Sequence, residues 1–137
     1  TALSRMGIMK TKALALLLVS ILSGSAIAVE PDEGCKGADS GSYSAIASCG
    51  DSEFKKVETE LNNTYKQLIS ALKKDAARRK LVIESQRSWL VYREKSCDFW
   101  HEILSYQVSW CRYGVTKNRL DELKHMYGCY VEGGNEC

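Results

Sequence analysis

Six cysteines, two histidines and a few neighbouring carboxylates are the residues of this 137-residue chain that could do chemistry. A nucleophilic cysteine needs an unpaired thiolate beside a base, and His101 with Glu102 stands close to Cys97. However, Cys35, Cys49, Cys97, Cys111, Cys129 and Cys137 form an even set, the signature of a disulfide framework made in an oxidising compartment. Zinc would call for a Cys-x-x-Cys or ligand-spaced histidines, and neither His101 nor His125 supplies that spacing. Asp121 and Glu122 are adjacent, so on a helix they diverge by about 100° and suit solvation rather than acid–base work. With no glycine-rich phosphate loop either, the expectation is a chain without catalytic residues, metal or cofactor.

The N-terminal segment says where such a framework would form. Lys10 and Lys12 precede an apolar run over 13–22, then small residues ending at Ala28. This is a secretory signal peptide over 1–28, with residues 1–8 read as an N-terminal remnant. The run is too short to span a bilayer comfortably, so no membrane anchor is expected after cleavage. Without Arg5, Lys10 and Lys12, the 19 basic residues fall to 16 against 17 acidic, about −1 in the mature chain. That balance gives no electrostatic warrant for nucleic acid as a partner. One domain over 29–137 is expected, exported to the periplasm or the medium, with a cysteine-rich tail over 128–137.

The elements that position the side chains follow from periodicity. Phe54, Val57, Leu61, Tyr65, Leu68 and Leu72 recur at helical spacing and predict a first helix over about 51–73, with Asp51 or Ser52 as N-cap and Gly50 weakening any upstream extension. After a turn at 75–77, a second helix runs to about 104, with Val82, Gln86, Trp89, Arg93 and Cys97 on one face. A third is expected near 115–126, after a break at 105–109, with Gly128 as its C-cap. The fold class is therefore all-α, a small antiparallel bundle of about three helices, a long hairpin plus a third helix, stapled by disulfides.

Folding the chain about Asp75 sets Glu58 opposite Arg93 and brings Asn62 level with Gln86. A polar layer of Glu58, Asn62, Gln86 and Arg93 at the helix interface is the expectation, fixing register more than adding stability; the alternative leaves both charges on solvated faces. Pairing of the cysteines stays open at this point. Sequence neighbours favour 35–49, 97–111 and 129–137, the last above all, whereas the hairpin register puts Cys49 only about 6 Å off level with Cys97.

Cys35 and Cys49 ahead of Phe54, the acidic-x-x-Leu-Asn-x-x-Tyr run from Glu58 to Tyr65, then Gln86, Trp89, Arg93 and Cys97, then Cys111, Thr116, Arg119 and Leu123 together resemble the exported LprI-like lysozyme-inhibitor family. Glu58 stands where that family more often has Asp, and the Cys129–Cys137 tail looks like an addition. The resemblance implies an exported helical domain and a protein partner such as lysozyme. Other occupations of the same architecture are an immunity protein neutralising an exported toxin or hydrolase, and an envelope accessory protein. The partner-binding candidates on this chain are the acidic stripe Glu94, Asp98 and Glu102, which suits a basic protein, and Trp100 and Trp110 from the aromatic cluster at the junction of the second and third helices. Capping of the core is the alternative use for those aromatics, because a small domain needs every large side chain.

Overall fold

A computed structural model describes residues 33–133 and Cys137; the expected signal peptide over 1–28 lies outside the described residues. Three helices carry the chain: α1 (Tyr43–Ala71), α2 (Ala76–Ile103) and α3 (Val108–Tyr127), and there is no strand among the described residues. Short 3-10 turns precede α1 and join the helices, and a π-helical turn, Gly128–Glu132, extends α3. No helix among the described residues is long and apolar enough to cross a membrane.

The α1–α2 turn is set locally. Asp75 caps α2 by accepting the Arg78 backbone N–H at 3.0 Å, and its second oxygen takes the Arg78 guanidinium at 2.5 Å. Together the two Arg78 contacts, the backbone hydrogen bond foremost, hold the Asp75 carboxyl below its ordinary value of 3.8.

The starts of α1 and α3 differ from the periodicity-based expectation, while their C-terminal ends fall within two residues of it. α1 begins at Tyr43 and passes unbroken through Gly50, so neither Asp51 nor Ser52 is an N-cap. Tertiary packing overrides glycine's poor helix propensity here. Gly50 is buried, and a Cβ on it would lie 3.0 Å from the Trp110 ring and 3.1 Å from Ser109 Cβ, so the missing side chain is what lets α3 approach. Asp51 is spent on that same contact, accepting a hydrogen bond from Ser109. α3 likewise starts at Val108, directly after the turn Ser105–Gln107. Gly128 is the C-cap residue of α3 as expected, but it keeps right-handed helical angles; the left-handed conformation falls to Gly133, with φ 63°.

Packing departs from a simple hairpin. α1 lies against α3 far more extensively than against α2. α3 runs parallel to α1, as the pairs Ile46–Trp110 and Glu60–Lys124 require, and α2 runs antiparallel to both. The core is Val57, Leu61, Leu68 and Leu72 of α1 and its following turn against Leu120 and Leu123 of α3, with Phe54, Tyr65, Val82 and Trp89 packed around it. Large side chains hold α2 off α1: the Arg93 guanidinium lies 5.2 Å from the Phe54 ring centroid and 5.1 Å from that of Trp89.

The bonds join sequence neighbours, Cys35–Cys49, Cys97–Cys111 and Cys129–Cys137, and none of the six is free. The alternative of Cys49 with Cys97 is excluded because each has another partner. Cys35–Cys49 ties the leading segment to α1, Cys97–Cys111 clamps the α2–α3 corner, and Cys129–Cys137 closes the tail on itself.

Candidate functional site

Arg93 occupies the centre of the bundle. Its Nη1 donates to Glu58 at 3.0 Å and reaches Thr116 Oγ1 at 3.5 Å, while Nε donates to Glu94 at 3.0 Å. Glu94 in turn accepts from Arg112 Nη2 at 2.8 Å. One turn of α3 further on, Arg119 repeats the arrangement, donating to Gln86 at 3.0 Å, Ser85 at 2.8 Å and Glu122 at 2.7 Å. Two buried guanidinium groups, each with three acceptors, thus stitch α2 to α3, and Arg93 carries the stitch on to α1. Charge taken out of water in this way persists only when it is paired and hydrogen-bonded, which both arginines satisfy.

This corrects the expected layer of Glu58, Asn62, Gln86 and Arg93 at one point. Asn62 is exposed and takes no part, because the buried line of α1 runs through Val57, Leu61, Thr64 and Leu68, and Asn62 points about 100° away from Leu61. Its place is filled from α3, by Thr116 and Arg119, both buried. Gln86 is bonded, but to Arg119 rather than to α1. The two α3 residues carry a weak signal in sequence: Thr116, Arg119 and Leu123 are spaced 3 and 4 apart, a helical face with polar members.

The candidate partner-binding residues separate into two groups. Glu94 is held by Arg93 and Arg112, and Trp110 is held by its indole N–H, which donates to the Ile46 carbonyl at 3.0 Å. Tyr106 is similarly committed, stacked on Tyr43 with centroids 4.7 Å apart. Trp110 and Tyr106 fasten the start of α1 to the α2–α3 corner, because an aromatic with a polar tip finds a partner when half-buried. Asp98, Trp100 and Glu102 lie on the outside of α2. They are joined there by Phe99, 62% exposed and edge-on to Trp100 at 5.7 Å, and by exposed Ile103 and Leu104. Phe99 belongs to the aromatic cluster expected at this junction, whereas periodicity does not distinguish Ile103 from a core residue.

Cys97 is bonded to Cys111 and so offers no thiolate beside His101. His101 is exposed, with Nδ1 3.7 Å from Glu102. Asp121 and Glu122 turn to different partners, Lys117 at 3.5 Å and Arg119 at 2.7 Å. Among the described residues no group of three or more His, Cys, Asp or Glu could hold a metal ion.

Residues 35–123 match the family model described as lysozyme inhibitor LprI. An uncharacterised protein of Rhizobium meliloti (strain 1021) is 27% identical over 139 aligned residues, covering 86% of this chain and 96% of that relative. No solved structure matches. The matched segment contains both arginine networks and the first two disulfides, and it stops short of the Cys129–Cys137 loop. Disulfides and family alike point to a protein that works outside the cytoplasm. On this match the chain belongs to the LprI lysozyme inhibitor family.

Proposed function

We propose that this protein is an exported, non-catalytic inhibitor of a lysozyme-type enzyme, and that it docks through the α2–α3 corner. The observation that carries the reading is the company Phe99 and Trp100 keep. Both are exposed aromatics beside Asp98 and Glu102, on a corner clamped to the core by Cys97–Cys111 and by Trp110. Rigid aromatic anchors inside an acidic rim are what a basic partner needs: the carboxylates steer the encounter and the rings supply desolvated contact area. The clamp keeps the corner from losing conformational freedom on binding, which favours affinity. The interior arginines support the reading indirectly, since their donors are committed to structural acceptors.

A turbidity assay of cell-wall lysis with the oxidised mature protein and a panel of lysozymes tests this. Inhibition at micromolar protein is expected, lost on Phe99→Ala/Trp100→Ala, and slowed by Asp98→Lys/Glu102→Lys with a larger effect at low salt. A folded wild-type protein that inhibits no lysozyme in the panel sinks the inhibitor reading, and pull-down of an exported toxin or envelope component would then favour the immunity or accessory role. Undiminished inhibition by the aromatic double variant sinks the corner alone.

A further inference from the structure

At the opposite end of the bundle, a cavity of about 780 Å³ opens between the last turn of α1, the first turns of α2 and the tail. Leu68 and Leu72 form its floor and are fully buried, while Leu81, Met126 and Tyr130 stand around the mouth, Leu81 being 65% exposed. The volume falls within the roughly 300–1,000 Å³ of small-molecule sites. Its lining is mostly apolar; the polar groups are the Arg78 guanidinium, the Tyr130 hydroxyl and Ser85, whose hydroxyl is already engaged with the Val82 carbonyl and Arg119. Such a wall offers too little to orient a sugar, a nucleotide or any other ligand that must be hydrogen-bonded throughout.

One cation sits at the rim. Arg78 Nη1 is bonded to Asp75, and the guanidinium lies 6.0 Å from the Tyr130 ring centroid, so the head is held in place. Its Nε and Nη2 hydrogens have no partner among the described residues. Lys73, Lys74, Arg79 and Lys80 crowd the same turn, where the acids Asp75 and Glu84 already face Arg78 and Lys80. The turn beside the cavity therefore carries surplus positive charge, and Arg78 is the cation that lines the cavity itself.

We infer that this cavity takes the acyl chain of a single-chain anionic amphiphile of the fatty-acid type, with the carboxylate held at Arg78. Chain and head are matched separately, the methylenes to the leucine floor and the anion to the free donors of a planar guanidinium. Met126 and Tyr130 and the bridge Cys129–Cys137 lie past residue 123, so much of the wall is built outside the family-matched segment. The site goes beyond the inhibition proposed above and does not share residues with the corner.

Displacement of a dansyl-labelled undecanoic acid from the oxidised protein tests the inference, with octanoate, decanoate and dodecanoate as competitors and the corresponding alcohols beside them. Affinity is expected to rise about fourfold for each added methylene, as burial of apolar surface predicts. The acids should outcompete the alcohols, and Arg78→Gln should abolish that preference while sparing the chain-length dependence. Leu81→Asp, at an exposed position that leaves the core intact, should weaken acid and alcohol alike by at least tenfold. Failure of the probe to bind, affinities flat in chain length, or Arg78→Gln and Leu81→Asp behaving like wild type would overturn it.

Discussion

Arg93→Ala and Arg93→Met separate the charge of the central arginine from its volume. Arg93 is 9% exposed, but its partners Glu58 and Glu94 are 37% and 43% exposed. When the guanidinium is removed, both carboxylates regain water, and Glu94 keeps Arg112 at 2.8 Å. The roughly 3–5 kcal/mol typical of breaking a buried pair is therefore too large here. Methionine retains the stem packed between Phe54 and Trp89 but forfeits the cation–π contacts, about 0.5–2 kcal/mol each. The expectation is a loss of about 2 kcal/mol for Arg93→Met, and about 3–4 kcal/mol for Arg93→Ala, which also leaves a void between the rings. Urea denaturation followed by far-UV circular dichroism measures both. The pairwise part comes from repeating Arg93→Met on a Glu58→Gln background, where its cost should shrink by about 0.5–1.5 kcal/mol. If Arg93→Met matches wild type and the two changes add within about 0.3–0.5 kcal/mol, the pair contributes nothing and the reasoning fails.

Gly50→Ala pits about 1 kcal/mol of helix propensity against a Cβ 3.0 Å from Trp110, which its bond to Ile46 keeps from yielding. The overpacking should win by about 1 kcal/mol net, with a shift in tryptophan emission; a stabilised variant would mean the α1–α3 contact has slack. Replacing Cys97 and Cys111 by Ser opens a loop of sequence separation 14 and should lower stability by about 3 kcal/mol in urea titrations. The same change at Cys129 and Cys137, separation 8, should matter less to global stability and more to the cavity it borders. For Asp75 the folded pKa is depressed, so its contribution is complete above the ordinary 3.8 and fades as pH falls through the lower folded value. Asp75→Ala should thus lower Tm at neutral pH, and the gap to wild type should close only in strong acid.

Local rules carried the three helices, the Asp75 turn and the Glu58–Arg93 register, because apolar spacing and a short connection leave few arrangements of α1 and α2. What they could not carry was the position of α3. Its inward face includes Thr116 and Arg119, which spoil the apolar repeat, so periodicity starts this helix only near 115 and sets Gln86 against Asn62 of α1 rather than Arg119 of α3. Gly50 misled for a related reason: propensity treats glycine as a break, whereas here an absent side chain makes room for Trp110. In each case the deciding neighbour lay some 30–65 residues away, beyond any window over which periodicity is read.

Which polar side chains are committed to the interior bears on function. The residues that made the family pattern conspicuous, Glu58, Gln86, Arg93, Thr116 and Arg119, are bonded to one another across the three helices, and they account for architecture. Asn62 is the exception: a member of the same pattern, it is exposed and spared any structural bond in the layer. Substituting it should therefore leave stability within about 0.5 kcal/mol, unlike every other polar residue of the motif. A binding surface, by contrast, must keep its side chains uncommitted, and uncommitted side chains generate no internal periodicity by which to find them. Phe99, Trp100, Asp98 and Glu102 satisfy that condition at one end of the bundle, and at the other Leu81 and the two guanidinium nitrogens that Arg78 does not spend on Asp75. Two relatives could therefore share the arginine networks in full and still differ in what they bind, because the networks fix where the corner and the cavity stand and leave their side chains free to vary.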